Sequence, residues 1–169
     1  MPKKEAPLEY LSRWIPGPAA PLILEYLNHY SFLITLIHEL AHLVTFMEFG
    51  NGVQSHGKEW KGVYRKVLEE FIRLSVFPGD ILAALKKNLH NLPASSCADE
   101  GLMRVLRRYD TDNAGLLLVE QIPEGGCFSL EDQRVFRKGK KLRKRYQCVE
   151  VATGKLYLFS PIYEVKPAG

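Results

Sequence analysis

The chain reads as an α+β protein, and three observations predict it. From about Pro21 to Tyr109, apolar residues recur at helical spacing. From about Gly115 onward they fall in short, partly alternating runs broken by turn residues. The period changes once, near residue 110, so the expected domains are a helical one over residues 1–110 and a small β subdomain over 111–169. A length of 169 residues suits that plan, one domain with a small appendage.

Within the helical half, Leu33, Ile37, Leu40, Val44 and Met47 share a spacing that predicts a helix over residues 31–49, stopped by Gly50-Asn51-Gly52. The helix is apolar almost all round, which predicts burial. A second helix is expected over 57–74, with Trp60, Tyr64, Val67, Leu68 and Phe71 on one face. A third runs from Asp80, read as its N-cap, to Leu89. A fourth starts after Ser96 and ends near Tyr109.

Beyond residue 110, "AGLLLVEQI" is a β run ended by "PEGG", "LRKRYQCVEV" alternates, "ATGK" is a turn, and "LYLFSPIYEV" is a return strand. This predicts an antiparallel sheet of three or four strands. Such a sheet is marginal alone and is expected to pack on the helical half.

Composition excludes several classes. Hydrophobic residues make up 46% of the chain and charged ones 25%, so a packed core is expected and disorder is not. No secretory signal is visible, and the most apolar run, Tyr30 to Ile37, is too short to cross a bilayer before His38 and Glu39. Cys97, Cys127 and Cys148 lie far apart without a C-x-x-C pair, which argues against disulfides and a four-cysteine metal site. The expectation is a cytoplasmic protein with no membrane partner.

The residues that carry chemistry lie in "LIHELAHLVTFMEFGNGVQSHGKEW", residues 36–60. His38 and His42 are one helical turn apart and share a face. Two imidazoles at that spacing can both reach one Zn²⁺ ion, and Glu39, about 100° round the helix from His38, can serve as base toward a water on the metal. This is the H-E-x-x-H arrangement of zinc peptidases. A histidine on a buried helix is ordinarily a hydrogen-bonded core residue. Three polar groups on one apolar turn are costly unless something binds them, which favours the metal.

A catalytic zinc needs a third protein ligand. The close-spaced H-E-x-x-H-x-x-G-x-x-H pattern fails here, because Thr45 stands in the glycine position and Glu48 in that of the third histidine. Glu59, Glu69 and Glu70 lie at distances that suit a glutamate ligand. His56 is the better candidate, since the "GNG" break lets the chain reverse and bring it back. Alone, His56 would read as a loop or cap residue. Trp60, one turn later, reads as core packing before site lining, and His29 and His90 read as structural.

Residues 30–67, with "HELAH" followed by "SHGKEW", resemble the SprT-like zinc metallopeptidases, relatives of the Spartan proteases that cut DNA–protein crosslinks. The resemblance implies a helical, zincin-like core, His38, His42 and His56 as Zn²⁺ ligands, Glu39 as catalytic base, and a protein substrate. "YQCVEVATGKLYLF" resembles the terminal hairpin of bacterial members, which implies a sheet like a zinc ribbon. Two departures stand out. Only Cys148 lies where ribbon cysteines are expected, so the ribbon would be metal-free. And "LILEYLNHY" runs almost directly into "SFLITLIHEL", where family members carry a strand-bearing segment, as in a shortened member.

Net charge is +4, but residues 131–146 alone hold eight Lys/Arg against two acidic residues, leaving the rest near −2. Arg137, Lys138, Lys140, Lys141, Arg143, Lys144 and Arg145 form a candidate nucleic-acid surface that would contact DNA phosphates. The competing reading is a solvated hairpin whose lysines guard its edges. Phe128, Phe136 and Tyr146 nearby read as core rather than base-stacking residues. The sequence therefore carries two functional expectations, a zinc peptidase and a nucleic-acid-binding module with a structural or residual zinc site.

Overall fold

Asn28 opens the first helix, α1 (His29–Phe49). The computed structural model describes residues 28–89, 99–111 and 115–168; the expectations for the first 27 residues, His90 and Cys97 fall outside them. The Asn28 side-chain oxygen accepts from the Tyr30 and Ser31 amides at 3.1 and 2.9 Å, satisfying two of the orphan donors at the helix start. Its amide nitrogen donates to the Leu106 carbonyl at 3.0 Å and to the Asp110 carboxylate, tying this end to the end of the helical unit. Gly50, at φ 67°, ends α1, its N–H reaching back to the Phe46 carbonyl.

After the Gly50–Gly52 turn come α2 (Lys58–Arg73), α3 (Gly79–Asn88) and α4 (Glu100–Leu106). Pro78, not Asp80, caps α3. Asp80 sits inside the first turn, where it accepts from the Tyr109 hydroxyl at 2.7 Å. Asp99 caps α4, accepting from the Gly101 and Leu102 amides.

The helical core joins Ile34, Ile37 and Ala41 of α1 to Trp60, Val63, Tyr64 and Leu68 of α2, with Phe77, Ile81, Leu85, Leu102 and Leu106 beyond. Burial is one-sided on α1. Phe32, Leu36, Leu40 and Met47 are exposed, against the expectation of burial all round. The helices described beside α1 are all shorter than its 21 residues and cover only one of its faces. Nor does the apolar run stop at His38. By length and composition His29–Gly52 is long and apolar enough to cross a membrane, yet its buried face belongs to the helical core.

The chain divides into two units, Met1–Asp110 and Thr111–Gly169. The second is a sheet of six strands, two more than the most the sequence suggested. They are β1 (Leu117–Leu118), β2 (Cys127–Ser129), β3 (Val135–Leu142), β4 (Arg145–Glu150), β5 (Leu156–Phe159) and β6 (Glu164–Ala168). Their order is β1-β6-β2-β3-β4-β5, with all neighbours antiparallel. The whole is therefore α+β.

Two expected strands break. "AGLLLVEQI" keeps two residues in β1 before a 3₁₀ turn at Val119–Gln121, where the Gln121 side chain accepts from the Leu118 amide at 2.8 Å. "LYLFSPIYEV" splits around Pro161, which cannot donate to a ladder, so β6 returns to pair with β1 and β2. At Gly139 a side chain would meet the Gln147 carbonyl oxygen at 2.7 Å, and there the β3–β4 register shifts.

The sheet core holds Val119, Ile122, Phe128, Phe136, Cys148, Phe159 and Val165. Beside it Lys138 is 5% exposed. Its ammonium donates to the Glu120 carbonyl at 3.1 Å and to the Ile122 carbonyl, and lies 4.1 Å from the Tyr146 ring centre. Burial pulls the Lys138 pKa down, while these partners keep a charge tolerable. Lys138→Met should therefore leave two carbonyls short of a donor and cost the sheet about 1–3 kcal/mol. Urea unfolding followed by circular dichroism measures this, and an unchanged midpoint would mean the ammonium contributes nothing.

Candidate metal centre

Helix α1 sets the first two candidate ligands. His38 and His42 face the same way one turn apart, with ring centres 4.9 Å from each other. The third arrives through the reversal after Gly50. His56 precedes α2 at φ 130°, a backbone region that non-glycine residues rarely adopt. Such strain persists only where surrounding contacts impose it, and it gathers at functional sites. Here the imposing contacts are visible. The His56 and Gly57 amides both donate to the Gln54 carbonyl, at 3.1 and 2.9 Å. A Cβ on Gly57 would meet Gln54 Cβ and its carbonyl oxygen at 3.0 Å, so glycine lets the turn close.

The three Nε2 atoms converge. His38 to His42 is 3.2 Å, His42 to His56 is 3.0 Å, and His38 to His56 is 3.2 Å. A four-coordinate metal ion bound through ring nitrogens at about 2.0–2.1 Å holds its donors about 3.3–3.4 Å apart, so the observed triangle fits one. Among the described residues these three histidines form the cluster able to hold a metal; Glu59, Glu69 and Glu70 are outside it.

Trp60 is the floor. It is fully buried, and its ring centre lies 4.8, 5.1 and 4.7 Å from those of His38, His42 and His56. It stacks in turn on Tyr64 at 4.9 Å. Core packing and site lining are one role here, whereas the sequence set them against each other. Its position one turn after His56 was the signal that could have joined them. The Trp60 indole nitrogen and His38 Nδ1 are buried without a hydrogen-bond partner among the described residues.

Burial, and then the neighbouring imidazoles, pull His38 down to about 4. Burial and then His56 do the same for His42, also to about 4. Burial, followed by the charge of Lys61, lowers His56. All three are therefore neutral near pH 7, the form that can bind metal. Glu39 lines the cleft next to His42, and burial raises its pKa. That shift brings a carboxylate closer to the working range of a general base.

The candidate nucleic-acid residues lie in the other unit, on the β3–β4 hairpin. Arg137, Lys140, Lys141, Arg143, Lys144 and Arg145 are exposed, while Lys138 points into the sheet and leaves the surface set. Phe128 and Phe136 are fully buried and thus core, and Tyr146 is half-buried beneath Lys138.

A three-histidine cluster with a glutamate one residue after its first histidine has the form of an H-E-x-x-H metal site completed from the turn before the next helix. Comparison with known proteins is consistent with this. Residues 20–80 match the model of the SprT-like family, so the resemblance read from the sequence holds across the metal centre. Over 35 residues the chain is 51% identical to protein SprT of Pseudomonas syringae pv. tomato and 49% identical to protein SprT of Pseudomonas putida, 21% of each chain in both cases. Over 31 residues it is 58% identical to protein SprT of Glaesserella parasuis, 18% of this chain and 19% of that one. The matched stretch thus spans about a fifth of these curated relatives. No solved structure matches.

Two predictions follow from this geometry. Gly57→Ala should displace the Gln54–His56 turn and weaken metal affinity about 10–100-fold while helical content stays constant, as read by competitive metal titration beside circular dichroism. Unchanged affinity would mean that the turn does not position His56. The second concerns pH in metal-free protein. His38 and His42 bind protons at about 4 in the fold against 6.5 in an unfolded chain, so the unfolded state holds more protons between those values. Stability is present above about pH 6.5 and is lost as pH falls toward 4. The melting temperature should drop between pH 7 and pH 5, and drop less in His42→Asn. That comparison separates the histidines from Glu39, whose raised pKa acts in the opposite direction.

Proposed function

We propose that this protein is a zinc-dependent peptidase acting on protein substrates, with His38, His42 and His56 as ligands and Glu39 as general base. The observation that carries this reading is the convergence of three Nε2 atoms within 3.2 Å beside a cleft lined by Glu39. Bound zinc supplies Lewis acidity, polarising a carbonyl and lowering the pKa of water toward neutrality.

The chain's own residues do the rest. His38, His42 and His56, all neutral, would hold the ion and leave a position open for reactants. Trp60 packs against all three rings and shields them from water on that side. The Glu39 carboxylate accepts a proton from the attacking water and returns it to the leaving amine nitrogen; a pKa raised by burial suits both transfers.

A second reading rests on the six exposed cations of the β3–β4 hairpin. In it the protein binds nucleic acid and zinc is structural. The two are compatible if the substrates are DNA-associated proteins.

Glu39→Gln separates them. Under the peptidase reading it keeps about one zinc per chain and lowers peptide hydrolysis about 10²–10⁴-fold. His56→Ala should lose the zinc itself, as read by elemental mass spectrometry. Hydrolysis undiminished in Glu39→Gln would sink the role of the base. DNA affinity that falls steeply with salt, with the slope reduced on replacing Lys140, Lys141, Arg143 and Lys144 by glutamine, would support the second reading.

A further inference from the structure

Next to the three histidines lies a cleft that the ligand geometry does not account for. It has a volume of about 90 Å³ and runs from Glu39 and His42 toward the C-terminal end of α1. Its inner wall is apolar: Leu43 and Phe46 from α1, Val53 from the chain reversal, and the buried Trp60. Its rim is polar and exposed, formed by Asn51, Gln54 and Ser55. Thr45 also lines it, but its hydroxyl is already spent on the Ala41 carbonyl at 2.6 Å. An apolar interior beneath a polar rim is how proteins hold a side chain by burial while the rim meets the backbone that carries it.

The geometry points to this cleft as a specificity subsite that seats one small, branched aliphatic side chain of the substrate beside the scissile bond. This rests on the peptidase reading and deepens it. Position supports it, because Glu39 and His42 sit on the same wall, so whatever fills the cleft lies beside the base and a ligand. Size sets the class. A dry cavity of about 150 Å³ takes benzene, so one of about 90 Å³ suits an isopropyl or isobutyl group and excludes an indole. Chemistry agrees, because no charged group other than Glu39 lines the cleft. An acidic side chain would face the Glu39 carboxylate, and the apolar wall favours an uncharged aliphatic group.

The loop that forms the rim is the loop that delivers His56. Val53, Gln54 and Ser55 therefore belong to both the metal centre and the subsite. The Gln54 carbonyl, which anchors the His56 and Gly57 amides, fixes the rim at the same stroke.

The test measures binding and does not depend on turnover. Zinc content of the reconstituted protein is determined first. Four metal-chelating hydroxamates are then titrated by calorimetry, bearing methyl, isobutyl, benzyl or indolylmethyl groups. Wild type should bind the isobutyl compound about tenfold more tightly than the methyl one and gain nothing from the indolylmethyl group. Phe46→Ala should enlarge the cleft and shift preference to the benzyl compound about tenfold. Leu43→Trp should fill it from α1 and reduce all four to the methyl affinity, with zinc content unchanged. Equal affinities for all four in zinc-loaded wild type, or a preference that neither substitution moves, would overturn the subsite and leave the metal centre standing. A wild-type protein that takes up no zinc would overturn the peptidase reading, and the subsite with it.

Discussion

Three neutral imidazole nitrogens lie within 3.2 Å of one another, and the helical unit is arranged around holding them there. The neighbouring features act as restraints on that approach. Helix α1 sets two of the rings by its pitch. The third depends on a backbone angle of φ 130° at His56, imposed by hydrogen bonds from two amides to one carbonyl and permitted by the missing side chain at Gly57. Trp60 then limits how far any ring can turn. Burial keeps the imidazoles neutral, the form in which a histidine cluster can take a metal rather than repel as like charges.

Restraint of this kind links packing to chemistry. Trp60 belongs to the core with Ile37 and Val63, and it also touches all three histidines. A change to the core under the site is thus a change to the site. The same economy governs the loop from Asn51 to Ser55, which reverses the chain, delivers His56 and rims the cleft beside Glu39.

The sheet unit solves a different problem with a buried charge. It is small and, among the described residues, has no disulfide to brace it. Lys138 reaches inward and gathers the carbonyls of the 120–122 turn under Tyr146, fixing that turn to β3. An ammonium with two carbonyls and an aromatic face is tolerable inside a sheet, where an unpaired one would not be. The six other basic residues of the hairpin remain outside, in water.

The sequence by itself determined whatever is periodic or local. It determined the two classes of structure, the face shared by His38 and His42, the stop at Gly50 and the choice of His56 over three glutamates, because helix pitch and turn chemistry act over a few residues. Tertiary structure alone decided what depends on distant partners. Among the described residues it decided that α1 is covered on one face, since coverage depends on the neighbours available. It decided that Pro161 parts one expected strand into two, so that β6 closes on β1 and β2. It turned Lys138 inward among seven basic residues that look alike in the sequence, because alternation in β3 and the carbonyls of a turn eighteen residues earlier act together. And it placed Trp60 under three histidines at once, since a floor exists only when the residues above it have converged.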